Sequence, residues 1–414
     1  MTLRVTHYSG DRVGGAARAA LRIHSALRRS GLVNSRLQVI EASGDDASVS
    51  GFGPALRQRL AGVLKPTLDV VPLRLAAPYD LTPRSAGWAT RLWAREIDAA
   101  NADIAHLHWI CGGFLSIEEI GKIATPLVWT LHDMWAFCGA EHLTEDGPDA
   151  RWRTGYPVPF GAARFDVDRW AWRRKKTHWH QTMHIVAPSR WLADCASQSE
   201  LLRHCPVTVV PNPLDVDVYK PMDRRGARRL LNLPEDRALI LFGAIKGTQL
   251  PYKGWDLLVP ALAEVARARP GIEAVIFGQG PPERPPALGL GIHWMGHLHD
   301  DVALAALYSA ADVLVIPSRQ ESFGQTGSEA QACGCPVVAF DTTGLRDVVE
   351  PGETGLLTVP YDPAALAADL LRLLDNPDAR RDMGAKARAR ACELWSYGAV
   401  AARYRDIYAS AASR

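Results

Sequence analysis

Short apolar runs recur along the chain, and between them apolar positions fall at helical spacing. That rhythm predicts strands alternating with helices. Leu3 to Tyr8 predicts the first strand, and Gly14-Gly15 opens an Ala-rich helix reaching about Arg29. Ser35 to Ile40 predicts a second strand. The stretch from Gly44 to Thr82 is broken by Pro, Gly and Ser, and its pattern does not place an element. The rhythm resumes with a helix over Ala86–Ala99, a strand over Asp103–Trp109, a helix from Ser116 and a strand over Leu127–Leu131. Strands at His184–Pro188 and Val207–Val210 close this half.

Pro211-Asn-Pro213 interrupts the pattern, and the polar stretch to Asp236 reads as a connection. The second half opens on Leu239-Ile-Leu-Phe-Gly243 and continues with strands at Glu273–Gly278, Ile292–Met295, Asp312–Pro317, Pro336–Phe340 and Gly355–Val359. Helices fit at Gly254–Arg267, Asp300–Ser309, Gly327–Ala332 and Asp362–Leu374, and two more, near 378–391 and 396–410, finish the chain. Alternating strands and helices imply parallel β with helical crossovers. The expected architecture is α/β: a doubly wound domain at 1–210, a connection at 211–237 and a second doubly wound domain at 238–393. A C-terminal helix within 394–414 is expected to pack back on the first domain. Open α/β sheets bind ligands at the carboxyl ends of their strands, so a cleft between the two halves is the expected site.

A chain of 414 residues exceeds one comfortable core, which agrees with two domains. With 47 basic and 45 acidic side chains the charges nearly cancel, which excludes a general nucleic-acid binder. The seven cysteines are an odd count, and the opening residues Met-Thr-Leu-Arg-Val-Thr-His-Tyr lack the apolar core of a signal peptide. Reduced thiols and a cytoplasmic location are therefore expected. Cys333-Gly-Cys335 has no second pair to complete a zinc knuckle. No apolar run approaches the roughly 18 residues needed to cross a bilayer.

The strongest chemical signal is Pro317-Ser318-Arg-Gln-Glu321-Ser-Phe323-Gly324-Gln-Thr-Gly327-Ser-Glu329. A strand ends at Pro317, a loop follows, and a helix begins near Gln325. Gly324 allows close backbone approach, and the free amides of a helix start suit a diphosphate. Glu321 and Glu329 stand on either side of that cradle, placed to bind the hydroxyls of a sugar and of a ribose. The plainer alternative is two surface carboxylates at a helix start, where acids are favoured anyway.

This segment resembles the retaining glycosyltransferases of family 4, whose signature is a pair of glutamates separated by seven residues, as Glu321 and Glu329 are. Ala330-Gln-Ala-Cys-Gly-Cys-Pro-Val-Val338 and the stretch from Gly344 through Gly355-Leu-Leu continue the likeness. The resemblance runs from residue 1 to about 410 and implies the GT-B fold, two Rossmann-like domains with an interdomain cleft. It also implies that Glu321 contacts the transferred sugar and Glu329 the ribose, with Ser318, Phe323 and Gly324 among the donor contacts. No metal or other cofactor is expected.

Five further segments fit that reading. Lys253-Gly254, in Tyr252-Lys-Gly-Trp-Asp-Leu-Leu258, offers a point charge for phosphate oxygens. Family members carry an arginine after the glycine of the preceding strand; here Ala244 follows Gly243, so Lys246 is the candidate substitute. Gly14-Gly15 opens a helix after the first strand, a place for phosphate or acceptor to approach closely. His132 ends the strand Leu127-Val-Trp-Thr-Leu131, and the matching family histidine lies beside the transferred sugar. It could orient the sugar or move a proton, and both roles stay open. Gln279, in Phe277-Gly-Gln-Gly280-Pro, stands where an acid is common, and Gly296-His297 resembles the segment that meets the nucleobase.

Two clusters remain. His178, His180 and His184 invite a metal, but residues two apart on a helix do not share a face, and no carboxylate or cysteine completes a set. Arg151-Trp-Arg153 and Arg169-Trp-Ala-Trp-Arg173-Arg174-Lys175-Lys176, with Trp179, form a basic tryptophan-rich stretch. It reads either as an anionic membrane surface contact or as a helix with tryptophans inward and charges outward. The resulting expectation is a transferase moving a sugar from a nucleotide-diphosphate donor to a glycan acceptor, such as a polyprenyl-diphosphate-linked one, in bacterial surface polysaccharide synthesis. It would work in the cytoplasm, peripheral on the inner face of the membrane. A sugar-nucleotide epimerase of the same architecture and a non-catalytic donor-binding regulator are the rival readings.

Overall fold

A computed structural model describes residues 2–10, 14–40, 46–51, 67–76, 82–157 and 165–413. It divides into two units, Met1–Pro213 with Tyr397–Arg414, and Leu214–Ser396.

The first unit is built on seven parallel strands: β1 (Arg4–Ser9), β2 (Asn34–Val39), β3 (Val49–Gly51), β4 (Ile104–Leu107), β5 (Leu127–Thr130), β6 (His184–Ala187) and β7 (Val207–Val209). Their order is β3-β2-β1-β4-β5-β6-β7, so the winding reverses between β1 and β4. Alternate side chains feed opposite faces, as the two-residue period of a strand requires. Tyr8, Leu107 and Trp129 face one core, which also holds Phe137 and Trp152. Val5, Ile104 and Val128 face the other, against Ile23 and Leu27 of the helix Gly15–Ser30 and Val400 and Tyr404 of the helix Tyr397–Ala412. The last helix of the chain therefore belongs to the first unit.

The second unit carries β8 (Ala238–Gly243), β9 (Ile272–Phe277), β10 (Gly291–Trp294), β11 (Val313–Ile316), β12 (Val337–Phe340) and β13 (Gly355–Thr358), all parallel. The order β10-β9-β8-β11-β12-β13 puts the reversal between β8 and β11. Every residue of β11 is buried, because helices cover both faces, and a strand sealed on both sides reads as a continuous apolar run. Doubly wound sheets are thus present in both units, as expected.

Several elements differ from expectation. Of the helix expected over Ala86–Ala99, only Ala94–Ala99 forms. Gly87 sits at φ +57, and the amides of Trp88 and Ala89 donate to the Asp69 carboxylate, so a tertiary partner takes bonds that a helix would have used. The stretch to Asp236 is more than a connection: the chain enters the second unit at Leu214, and Asp223 caps a helix, Arg224–Leu230, by accepting from the Gly226 amide at 2.6 Å. Within 44–82, where the sequence pattern placed no element, β3 and a helix over 67–75 form; 44–45, 52–66 and 77–81 lie outside the described residues. All seven cysteines are unpaired. Among the described residues no helix is long and apolar enough to cross a membrane.

Candidate active site

The second unit assembles its chemistry at the carboxyl ends of β8 and β11, the pair flanking the reversal. After β8 the chain makes a short 3-10 turn, Pro251–Lys253, closed by Gly254 at φ +71. A Cβ on Gly254 would lie 1.8 Å from the Pro317 carbonyl oxygen, so only glycine lets this turn press against the end of β11. The two loops are then tied together: the Arg319 amide donates to the Tyr252 carbonyl at 2.8 Å, and the Arg319 guanidinium pairs with Asp256.

This brings Lys253 Nζ to 2.6 Å from Glu321 Oε1, which also accepts from Ser318 Oγ at 2.9 Å. The Glu321 amide donates to Thr343 Oγ1. Burial works against the Lys253 charge, yet the Glu321 carboxylate outweighs it and holds the ammonium above its ordinary range. Gly324, at φ +96, caps the helix Gln325–Ala332, in whose interior Glu329 is buried and accepts from Tyr308 Oη at 2.7 Å. Phe323, expected among the donor contacts, instead turns its ring into the core, edge-on to Trp395. Its aromatic area is better buried than offered to a polar ligand, so it supports the loop from behind.

Lys246 is exposed at φ 52, on a loop held by Thr248, whose amide and hydroxyl donate to Gln279 Oε1. Gln279 therefore acts on this loop. His297 is exposed after β10, with its ring centroid 4.4 Å from that of His299.

In the first unit, β1 ends at Ser9, and Gly14 precedes the helix that starts at Gly15. His132 is the second residue after β5 and is half-buried. Its Nε2 lies 3.1 Å from His108 Nδ1, and His108 Nε2 lies 2.9 Å from His7 Nδ1. His106 is bonded to Tyr408 Oη and Thr130 Oγ1, both at 2.8 Å. Burial pushes His7, His106 and His108 far below the usual histidine range, and His132 down to about 4 against the opposing charge of Asp133. Asp133 is fixed by His142, whose other nitrogen meets Ser85 Oγ at 2.8 Å.

Sequence reasoning missed this histidine cluster, although a signal was there. His7, His106, Thr130 and His132 occupy alternate positions on adjacent strands, the pattern of one sheet face. His7, His106 and His108 lie close enough together to be considered as a metal set. Five of their six ring nitrogens, however, already have hydrogen-bond partners, and among the described residues His7 Nε2 alone lacks one. The histidines first singled out do not assemble: His180 bonds the Thr177 carbonyl, and His184 bonds Thr208.

The basic aromatic stretch resolves toward packing. Trp152, Trp172 and Trp179 are buried. Lys175 is buried too, and its ammonium donates to the carbonyls of Trp135, Cys138 and Gly139. Arg174 grips Glu118 and the Ala86 and Gly87 carbonyls, while Lys176 pairs with Glu200. Arg174 and Lys175 are thus removed from any membrane-facing set, because each compensates groups inside the fold.

Residues 13–218 match the family described as Glycosyltransferase Family 4, and residues 223–390 match Glycosyl transferases group 1. A D-inositol 3-phosphate glycosyltransferase of Streptomyces scabiei is 30% identical over 98% of this chain and 97% of its own length. The chain belongs to glycosyltransferase family 4. A second relative of this transferase, the D-inositol 3-phosphate glycosyltransferase of Acidothermus cellulolyticus, is 32% identical over 81% of this chain and 72% of its own. Among solved structures, sucrose-phosphate synthase from Thermosynechococcus elongatus superposes with a TM-score of 0.66 at 20% identity, covering 98% of this chain and 99% of that one. Anabaena HepE, solved with UDP-glucose, gives 0.66 at 18% identity, covering 99% and 100%. These likenesses establish the GT-B fold, and the family establishes the enzyme as a glycosyltransferase.

Proposed function

We propose that this glycosyltransferase moves a sugar, with retention of its anomeric configuration, from a nucleoside diphosphate sugar held by the second unit to a glycan acceptor. The observation that carries the reading is the pairing of Lys253 with Glu321 beside the start of the helix Gln325–Ala332. A departing nucleoside diphosphate gains negative charge as the glycosidic bond breaks, and fixed positive groups already aimed at it lower the barrier. Lys253, Gly254 and the amides near Gly324 supply that field. The donor phosphate would draw Lys253 from Glu321, freeing the carboxylate for sugar hydroxyls while Glu329 receives the ribose. Lys246 is a second candidate for the phosphates, and His297 and Gly14-Gly15 remain candidate donor contacts. The acceptor hydroxyl attacks from the face that the diphosphate leaves, passing its proton to a leaving phosphate oxygen. No metal has a place in this scheme. HepE was solved with UDP-glucose, which supports a uridine donor here.

For the acceptor, a polyprenyl-diphosphate-linked glycan would place the work at the inner face of the cytoplasmic membrane. A second reading, D-inositol 3-phosphate, is favoured by the names of relatives that align over almost the whole chain. UDP-, GDP- and dTDP-sugars should be tested against both acceptors, scoring nucleotide release and product anomer. Acceptor-dependent release with an α-linked product from an α-linked donor is the expected result. Acceptor-free conversion of the sugar would make the protein an epimerase, and donor-induced thermal protection without turnover would make it a regulator. Activity should also survive exhaustive EDTA treatment; loss restored by one divalent ion would overturn the metal-free scheme.

A further inference from the structure

We propose that His108 and His7 act as positioning residues that lock His132 into the tautomer with its proton on Nδ1, making it a hydrogen-bond donor toward the reacting sugar. The role toward the sugar rests on the transferase reading above. The tautomer itself does not.

The three rings form a chain through neighbouring strands of the sheet, from β1 past the end of β4 to the end of β5. Ring centroids lie 5.2 Å apart for His7 and His108 and 5.4 Å apart for His108 and His132, with interplanar angles of 17° and 26°. Those separations match two ring radii added to the nitrogen–nitrogen distances of 2.9 and 3.1 Å. The rings therefore meet edge to edge, nearly in a common plane, which is the geometry of a straight N–H···N bond.

Three neutral imidazoles carry three ring protons, and burial keeps these rings neutral near neutral pH. His108 has one proton, so it donates one bond and accepts the other, and both bonds must point the same way. Two protons lie within the bonds. The third sits at one end of the chain, on His7 Nε2 or on His132 Nδ1.

The two ends are not equivalent. His7 is fully buried, and its Nε2 has no partner among the described residues. His132 is half-buried, and its Nδ1 is bonded to nothing else among the described residues. His7 and His108 are buried and His132 alone of the three is half-buried, so a ligand coming from solvent meets the row at His132. A buried N–H with no acceptor is among the rarest features of folded proteins. The third proton therefore belongs on His132, and both bonds run outward: His7 Nδ1–H to His108 Nε2, then His108 Nδ1–H to His132 Nε2. Among the described residues no carboxylate bonds any of the three rings to reverse that order. Asp133 is occupied by His142, and His106 is engaged by Tyr408 and Thr130. Of the two roles that the sequence leaves open for His132, orientation of the sugar is the one this arrangement selects.

The test is ¹⁵N–¹H correlation NMR of the full chain labelled at histidine, which distinguishes a proton on Nδ1 from one on Nε2 without any need for turnover. A single Nδ1–H form of His132 is expected in the wild type. In His108→Phe the lock is cut, and His132 should move to the Nε2–H form or average between the two. His108→Gln keeps an N–H donor and should retain the Nδ1–H form. If the protein transfers sugar, kcat should fall at least tenfold in His108→Phe with nucleotide affinity unchanged, and should largely recover in His108→Gln. An Nε2–H or averaged His132 in the wild type would overturn the inference. So would a folded His108→Phe variant, judged by chemical-shift dispersion, in which the tautomer of His132 stays the same. Absence of transfer with every donor would instead sink the functional reading and leave the tautomer result standing.

Discussion

Glu329 shows how one residue is made ready for a ligand before the ligand arrives. It lies in the first turns of the helix Gln325–Ala332, buried, with Oε2 accepting from Tyr308 Oη at 2.7 Å. Burial drives the Tyr308 phenol far up, so it stays protonated and can serve only as donor to this carboxylate. One oxygen is held in place, and the orientation of the other follows. A carboxylate fixed in this way loses little freedom when ribose hydroxyls donate to it. Glu329→Ala should therefore weaken nucleotide binding by about 1.5–3 kcal/mol, the usual cost of losing a hydrogen bond to a charged group. Tyr308→Phe removes only the tether and should cost about 0.5–1.5 kcal/mol. Calorimetric titration with UDP and GDP measures both. Unchanged affinity in a folded Glu329→Ala protein would take this residue out of the site.

At the scale of elements, the decisive device is a glycine that lets two loops touch. Gly254→Ala would force a side chain into the left-handed region and its Cβ against the Pro317 carbonyl. The backbone strain alone is about 1–3 kcal/mol, and the clash adds to it by pushing Lys253 away from Glu321. Both the urea midpoint and nucleotide affinity should fall. Gly280→Ala, where a Cβ meets nothing within 4 Å, should change neither and serves as the control. An unaltered midpoint and affinity in Gly254→Ala would mean that the contact between the loops is dispensable. The Lys253-Gly254 and Glu321–Glu329 segments were legible because local chemistry dictates them: a strand end, a glycine and a helix start recur in fixed order. What was not legible depended on distant partners. The helix expected through Gly87 fails because Asp69 takes its amides. Lys175 looks like a surface charge in sequence but is buried because three carbonyls of residues 135–139 converge on it. The histidine row could be read only by someone who already knew that β1, β4 and β5 are neighbours.

At the scale of the whole molecule, the histidines are distributed unevenly enough to predict how the protein fails in acid. Burial holds His7, His106 and His108 far below their ordinary range and His24 and His132 at about 4, and all five belong to the first unit. The sign follows from which state binds the proton. Below about pH 6.5 the unfolded chain protonates these rings while the folded one does not, so stability is lost as pH falls. Each such histidine contributes a slope of about 1.4 kcal/mol per pH unit. Glu141 acts the other way. Burial, then the Asp168 charge, raises it to about 7, so its folded form gains a proton first and adds stability between about 7 and the usual carboxylate range. Asp69 and Asp168, also raised by burial, act in the same direction, and three such groups do not offset five. Lys175, lowered to about 7 by burial, makes stability rise with pH between about 7 and its ordinary range, and contributes no slope below that window. Two units with separate cores also need not unfold together. Calorimetry at pH 7 and at pH 5 should therefore show one transition moving sharply to lower temperature while the other holds nearly still. His106→Gln, which removes one buried ring from the row, should reduce the slope of the moving transition. Two transitions that shift equally, or a stability that stays level from pH 7 to 5, would mean that the histidine row is protonated, or hydrated, in the folded chain.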